Sequence, residues 1–508
     1  MTTLIPQTRV RRISRATGLD RVFEPSDPAD RSQLPVLIVI WFVWTVVMIV
    51  LIAAHEPWRD ELQAWAIARS SGNPFELIAN LRYEGHPPLW YLLLWPVTKV
   101  LPGIVGLKFV TIVVGSAATW VALRFMPVSL WLRVAILFGY FPLYEYGVIS
   151  RSYTAAWLCL VVALWLAHRA QTSAWVIAIA LGALACTTAL AVPLAFAIAL
   201  ALWGGRRWAS PIRGPGDRRY VWAFGAALLA VVAYGVFKSR TSLGSTWSAF
   251  SAPLVAAAPV SPLTDRFWGN LLVLQVAGAG TVIGIAVTVI VARLLRKSIS
   301  ARTIWIASTV GFTIVMAESG RGMAPRFAGI VWMGAIAAVW FATTERRSLP
   351  AAERQPLHIA TKAACVLVLA ASLWAAGWAG SIDATTPFTG AKAAGDWITE
   401  RADGPIVILC ASTVATCSSV SMRLDVPAYR FADSDPFSFM VFKPKWNKHI
   451  DVVDILESAA RIEARTGAQV FIVDAPVWFL SLCAQSMTPV RAAGFETVSV
   501  CLPRQPVP

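Results

Sequence analysis

Long apolar blocks alternate with short polar segments over the first three quarters of the chain. Most blocks approach the roughly 20 residues that a helix needs to cross a bilayer. Because hydrocarbon offers no partners to backbone amides and carbonyls, such blocks are expected to be helices. If 87–126 crosses once in net terms and 174–203 crosses twice, the pattern predicts about eleven transmembrane helices. The blocks lie near residues 34–54, 87–126, 131–149, 154–168, 174–203, 220–237, 268–294, 303–317, 326–343 and 361–380.

The composition favours a membrane protein over a soluble one. Hydrophobic residues make up 57% of the chain and charged residues 14%, whereas soluble domains carry about 25% charged residues. The net charge is +16, from 44 Lys and Arg against 28 Asp and Glu. Since the basic residues lie mostly between apolar blocks, they are typical of cytoplasmic anchors. A nucleic-acid partner is therefore not expected.

The basic segments predict which side of the membrane each loop faces. Loops rich in Lys and Arg stay in the cytoplasm, and those of this chain lie at 204–220, 293–302 and 345–355. The basic tail 1–33 is then cytoplasmic too. The segments that face outward are 55–86, 238–267, 318–325 and the C-terminal region. Block 87–126 is long for one helix and short for three, and two crossings there would invert everything downstream.

The composition changes after residue 380, where a small outward-facing α/β domain is predicted over 381–508. Strand-like runs at 405–410 and 469–474 flank an amphipathic helical pattern at 449–466. Four of the seven cysteines lie here and allow three pairings. We favour Cys410–Cys417 and Cys483–Cys501, because external compartments permit disulfides. The alternative is that some of these cysteines are packed as small hydrophobic residues.

Ionisable residues crowd the segment 55–86, between the first two apolar blocks of the predicted transmembrane domain 34–380. A connector between two helices needs only a few residues, and ionisable groups beside a bilayer are candidates for function. Asp60 and Glu61 are adjacent, so on a helix they point in different directions. The alternative is a solvated interfacial helix with ordinary salt bridges. The ionisable residues are His55, Glu56, Arg59, Asp60, Glu61, Arg82, Glu84 and His86.

Two further features leave alternatives open. Trp58 and Trp90 lie near the first loop, and each could stack on a sugar or belong to the interfacial belt of tryptophans. The outer loop 238–267 is a mobile lid or a passive connector.

Three segments resemble motifs of the GT-C glycosyltransferases, most closely the protein O-mannosyltransferase and lipid A aminoarabinose transferase group. The first is "RDELQAW" followed by "GHPPLWYLLL", an Asp-Glu pair after the first membrane helix and a Pro-Pro-Leu segment that opens the next. The second is "YEYGVISRSYTAAW", similar to an Arg-x-Tyr pattern that falls on Arg151 and Tyr153. The third is "MAPRFAGIVWMG", similar to a late Arg-aromatic helix start at Arg326.

The resemblance implies an inverting transferase in a bacterial plasma membrane that takes a sugar from a polyprenyl phosphate on the outer face. Asp60 would be the general base, and Glu61 would orient the acceptor or position Asp60. The acceptor would be a glycan, lipid or protein of the envelope. A divalent metal is compatible with the ligand types but not favoured, because arginines can supply the positive charge. The residues expected at the donor phosphate and sugar are Arg59, His86, Arg151, Tyr153 and Arg326.

Two other classes remain as alternatives. A transporter or flippase for a lipid or glycolipid would place ionisable residues within its helices near the midplane. Here the apolar blocks are nearly free of charge and the acids gather in one outer loop. A non-catalytic scaffold that binds an envelope partner through its C-terminal region is the second alternative.

Overall fold

The structure, a computed structural model, describes most of the chain. The predicted block 220–237, nearly all of 268–294 and the outer loop 238–267 lie outside the described residues, as does most of the tail 1–33. The described residues are 32–84, 86–101, 103–169, 172–207, 291–292, 295–319, 325–348, 359–411, 414–431, 436–441, 452–475, 477–488 and 498–504.

The first predicted loop is itself largely helical. It follows helix α1, Leu34–Ala54, and contains α2, Arg59–Ser70, and α3, Pro74–Asn80. Helix α3 begins where the side chain of Asn73 accepts hydrogen bonds from two backbone amides of its first turn, as N-cap residues do. A 3₁₀ turn, Leu81–Tyr83, follows α3.

The ambiguous block 87–126 divides into a short helix and a long one. These are α4, Leu89–Thr98, and α5, Ile104–Phe125, and α4 packs against α2 of the first loop. Gly103 lies between them at a φ of 73°, in the left-handed region, which glycine adopts without steric cost. The remaining helices of this part are α6 Leu130–Leu137, α7 Ser152–His168, α8 Ala174–Ala185, α9 Val192–Arg207, α10 Ile299–Ser319, α11 Pro325–Ser348 and α12 Ile359–Thr385.

Four helical segments among the described residues are long and apolar enough to cross a membrane, so the chain is an integral membrane protein. They are Leu34–Ala54, Ile104–Phe125, Arg326–Ser348 and Cys365–Thr385. Other apolar stretches form shorter helices, among them the two in 174–203 that the pattern predicts. The figure of eleven crossings stays a prediction, since two of the counted blocks lie outside the described residues.

The prediction of a continuous apolar helix over 131–149 is wrong. Helix α6 ends at Leu137, and a separate π-helical turn, Tyr140–Glu145, follows it. Pro142 lies in this turn and brings no backbone N–H for a regular helix. The hydroxyl of Tyr140 donates to the Glu145 carboxylate at 2.5 Å, which gives this buried acid a partner. The turn packs against α12.

A six-stranded sheet follows the last long helix. Its order is β3-β2-β1-β4-β6-β5; β1 runs parallel to β2 and β4, and the other pairs are antiparallel. Alternate residues of β1 enter the apolar clusters on the two faces, as expected from the two-residue period of a strand. The elements are α13 Ala391–Thr399, β1 Ile406–Cys410, α14 Val414–Leu424, β2 Ala428–Arg430, β3 Pro436–Phe437, α15 Val452–Thr466, β4 Gln469–Val473, β5 Cys483–Met487 and β6 Val500–Pro503.

Both favoured disulfides are present in this region, Cys410–Cys417 between β1 and α14 and Cys483–Cys501 between β5 and β6. The boundaries of a separate domain at 381–508 remain a prediction. The sheet region is held against the first loop, because α14 packs on α2. The amide of Gln63 also makes two hydrogen bonds with the backbone of Met440, at 2.7 and 3.0 Å.

Candidate functional site

The first turn of α2 carries the acidic pair on different sides. The helix begins at Arg59, and Asp60 and Glu61 fall in its first turn, where negative charge is favoured by the helix dipole. Asp60 is partly open, with 28% of its side chain exposed, whereas the side chain of Glu61 is fully buried. The predicted divergence of the two carboxylates is therefore present.

Three arginines from distant parts of the chain surround the Asp60 carboxylate. Arg151 donates a hydrogen bond from Nη1 to Oδ2 of Asp60. Nη2 of Arg326 lies 3.8 Å from the same oxygen, and Nε of Arg59 lies 3.6 Å from Oδ1. We call Asp60 and these three residues the arginine cluster. Three guanidiniums face one carboxylate, so the cluster has an excess of positive charge.

The indole of Trp58 lies at the centre of the arginine cluster. The guanidinium carbons of Arg59 and Arg151 are each 5.8 Å from its ring centroid, and that of Arg326 is 5.2 Å away. Cations within about 6 Å of an aromatic face are attracted by its quadrupole. Trp58 is buried, so its geometry indicates a platform for the arginines rather than a surface that stacks on a sugar.

His86 and Tyr153, two further predicted site residues, both lie against Arg151. Nε2 of His86 is 3.2 Å from Nη2 of Arg151. The Arg151 guanidinium carbon lies 5.9 Å from the ring centroid of Tyr153. Tyr153 is buried and stacks on Tyr146 at 5.5 Å. The structure thus brings His86 to the cluster and places Tyr153 in the layer that supports Arg151.

Close packing fixes Arg326 at the start of α11. The hydroxyl of Tyr146 donates to the carbonyl of Arg326 at 3.0 Å. That hydroxyl fills the space beside Gly329, where a Cβ would lie only 1.7 Å from its oxygen. Any other residue at 329 would displace Tyr146 or the helix, because real Cβ atoms do not approach so closely. Gly329 therefore lets α11 carry Arg326 into the cluster.

The arginines control the protonation of Asp60. Burial alone would raise the pKa of this carboxyl, but the charges of Arg151, Arg326 and Arg59 lower its pKa well below the usual range. Asp60 is therefore ionised at neutral pH and is a weak base while the arginines surround it.

Glu61 belongs to a second group of polar residues that lies away from the Asp60 carboxylate. Its Oε1 accepts a hydrogen bond of 2.5 Å from the backbone amide of Ser150, and its Oε2 lies 2.9 Å from Nε2 of His55. Nδ1 of His55 lies 2.7 Å from Oδ2 of Asp383, at the end of α12. Of the two roles predicted for Glu61, its burial favours positioning over contact with an acceptor.

Sequence reasoning did not single out Asp383 or Tyr144, whose hydroxyl donates to Asp383 at 3.1 Å. The sequence could have pointed to Asp383, because it is an acidic residue at the end of an apolar helix. Ionisable residues at such positions are candidates for function. Among the described residues, no group of three or more His, Cys, Asp or Glu side chains is arranged to hold a metal ion. The expectation about metals stays open.

Comparisons with known proteins give structural neighbours only. No family model and no curated protein sequence matches the chain. Eleven chains of solved structures match. One is ArnT from Cupriavidus metallidurans bound to undecaprenyl phosphate, which is 14% identical and has a TM-score of 0.49. The match covers 91% of this chain and 97% of that chain. ArnT from the same organism in the apo state matches at 13% identity and a TM-score of 0.49, over 92% and 98% of the two chains.

Proposed function

We propose that this protein is a membrane glycosyltransferase that moves a sugar from a polyprenyl phosphate to an acceptor hydroxyl on the outer face of the membrane. The observation that carries the proposal is the arginine cluster, in which three guanidiniums surround one partly open carboxylate. The motif resemblance adds the donor class. The outward orientation rests on the distribution of basic loops in the sequence.

The positions of the arginines favour an anionic ligand over a purely structural role. Arg59 is the first residue of α2, Arg151 is the N-cap of α7, and Arg326 is the second residue of α11. Cations are disfavoured at helix N-termini, where the dipole is already positive. Three helix starts and three arginines therefore create a strongly positive site at one point. A phosphate group would satisfy these charges, because arginine can bind its oxygens in a bidentate manner.

The donor phosphate would also activate the base. While Arg151 is bound to Asp60, the carboxylate has little tendency to take a proton. A phosphate that attracts Arg151 and Arg326 would weaken their hold on Asp60 and make it a better base. Donor binding would thus come before proton abstraction, and the acceptor would be deprotonated only when the donor is in place.

The transfer itself would be a single displacement. The acceptor oxygen attacks the anomeric carbon, its proton passes to Asp60, and the bond from that carbon to the phosphate oxygen breaks. The polyprenyl phosphate leaves with the bonding electrons, and the arginines stabilise the charge that develops on it. One displacement inverts the anomeric centre. His86 would contact the phosphate or the sugar beside Arg151. The ring of Tyr153 would hold the Arg151 guanidinium that lies over its face.

The test is transfer of labelled sugar from polyprenyl phosphate donors to envelope acceptors by the purified protein in lipid. Donors carrying mannose, arabinose, galactose and aminoarabinose are compared, with protein, lipoglycan and polysaccharide acceptors. We expect transfer from at least one donor and its loss in Asp60→Asn. The control Asp403→Asn changes an exposed carboxylate and should transfer normally. Movement of labelled lipid across the bilayer with no transfer to any acceptor would favour a flippase instead.

A further inference from the structure

A buried trio of charged residues lies behind the arginine cluster. The two ring nitrogens of His55 face two carboxylates, Asp383 at 2.7 Å and Glu61 at 2.9 Å, and all three side chains are buried. A neutral imidazole has one N–H, so it can donate to only one of the two. With a neutral imidazole and two ionised carboxylates, one of the two contacts would have no proton between its atoms, so the geometry requires one more proton in the trio. Both carboxylates stabilise it on the histidine and, against the effect of burial, raise the pKa of His55 to about 10.

Glu61 connects this trio to both backbone segments that carry the central ion pair. Its Oε1 accepts from the amide of Ser150, directly before Arg151, at 2.5 Å. Its Oε2 accepts from the amide of Trp58, two residues before Asp60, at 3.1 Å. One buried carboxylate thus holds the start of α2 beside the start of α7, and this places Asp60 next to Arg151.

The other members of the trio hold Glu61 in place. Asp383 is fixed by the hydroxyl of Tyr144 at 3.1 Å, and the carbonyl of His55 accepts from Nζ of Lys108 at 2.9 Å. The ring of Phe388 packs edge-on against the imidazole, with centroids 4.8 Å apart. The charged and titratable groups that face His55 are therefore Glu61, Asp383, Tyr144 and Lys108.

We propose that Asp383 and His55 are positioning residues for transfer, and that they act through Glu61 on the distance between Asp60 and Arg151. The proposal rests on the proposed function, but it assigns a role to a residue 328 positions from its partner in the sequence. Both side chains are buried rather than open to a ligand at the arginine cluster. Their effect is on the geometry of the reacting groups, so it should appear in the chemical step more than in donor binding.

The first variant is Asp383→Ala, which removes the acceptor for both His55 and Tyr144. Displacement of reacting groups by 1 Å can cost about 100-fold in rate. We expect kcat to fall by about 10- to 100-fold, while the KM for the donor changes by less than about threefold. Each kcat is divided by the number of sites that bind undecaprenyl phosphate, so that loss of folded protein does not count as loss of rate.

Rescue by a conservative change distinguishes positioning from charge alone. Asp383→Asn keeps an oxygen that can accept from both His55 and Tyr144, so we expect kcat within about threefold of wild type. His55→Gln has one amide N–H₂ and one carbonyl and cannot donate along both directions, so its kcat should fall as in Asp383→Ala. This second variant decides the question if Asp383→Ala does not accumulate as folded protein. Asp403→Asn again serves as the exposed control.

The outcomes separate the two proposals. Unchanged kcat in both Asp383→Ala and His55→Gln, with loss of transfer in Asp60→Asn, overturns the positioning role and leaves the proposed function intact. A fall in kcat that Asp383→Asn does not rescue also overturns it, because the acceptor geometry would then not be what matters. Full transfer by Asp60→Asn would remove the proposed base itself.

Discussion

Arg151→Lys is the substitution that most sharply probes the arginine cluster. Arg151 uses Nη1 to bind Asp60 and Nη2 to approach His86. Lysine keeps the positive charge, but its single ammonium group cannot reproduce this planar fork. The substitution therefore isolates the bidentate geometry from the charge.

The size of the effect follows from the lost contact. A hydrogen bond to a charged group contributes about 1.5–3 kcal/mol, and each 1.4 kcal/mol corresponds to a factor of ten. Loss of one such bond to the donor phosphate should lower kcat/KM by about 10- to 150-fold. Arg151→Gln also removes the charge that stabilises the leaving phosphate, and loss of one such group typically costs about 100- to 1,000-fold in kcat.

The assay is transfer of labelled sugar at donor concentrations below and above KM, which gives kcat/KM and kcat separately. Arg69→Lys is the matched control, since Arg69 lies on α2, the helix of Asp60, but is exposed and paired with Asp425. We expect the order wild type and Arg69→Lys, then Arg151→Lys, then Arg151→Gln. Activity of Arg151→Lys within threefold of wild type would refute the bidentate role.

Three further predictions concern the rest of the molecule. Against the effect of burial, contact with two carboxylates raises the pKa of His55 from 6.5 to about 10, so its contribution to stability is complete below pH 6.5 and is lost as the pH rises towards 10. In detergent, the thermal unfolding temperature should therefore fall more between pH 7 and 10 for wild type than for His55→Gln. Equal falls in the two proteins would contradict this. Chelators of divalent metals should leave transfer unchanged, since the arginines supply the positive charge; a loss that Mg²⁺ or Mn²⁺ restores would show the opposite. Alkylation of the denatured, unreduced protein should modify three of the seven cysteines, and mass spectrometry that finds any other number would contradict the two disulfides. The expected sites are Cys159, Cys186 and Cys365.

Helices and sheet were predictable from sequence because each depends on local periodicity. Helix α1 is a run of apolar residues of span length, and the strand-like runs at 405–410 and 469–474 became β1 and β4. The break in 131–149 had a signal too, since Gly139 and Pro142 lie within that block. Hydropathy alone does not reveal this break, because the whole block is apolar although its backbone conformation changes within it.

The site was predictable only in part. The opposite directions of Asp60 and Glu61 follow from helical geometry, which is local. The convergence of Arg151 and Arg326 on Asp60 came from the motif resemblance, because no periodicity relates residues so far apart. The partnership of Asp383 with His55 depends on how α12 packs against the first loop, and a single sequence carries no information about that distance.

The most direct measurement of the central claim compares undecaprenyl phosphate binding and sugar transfer in Asp60→Asn. The substitution removes the negative charge that competes for the three guanidiniums, so the lipid phosphate should bind as tightly as in wild type or more tightly. Without the base, transfer should fall by at least about 100-fold. Transfer at the wild-type rate, or a parallel loss of lipid binding, would contradict the account.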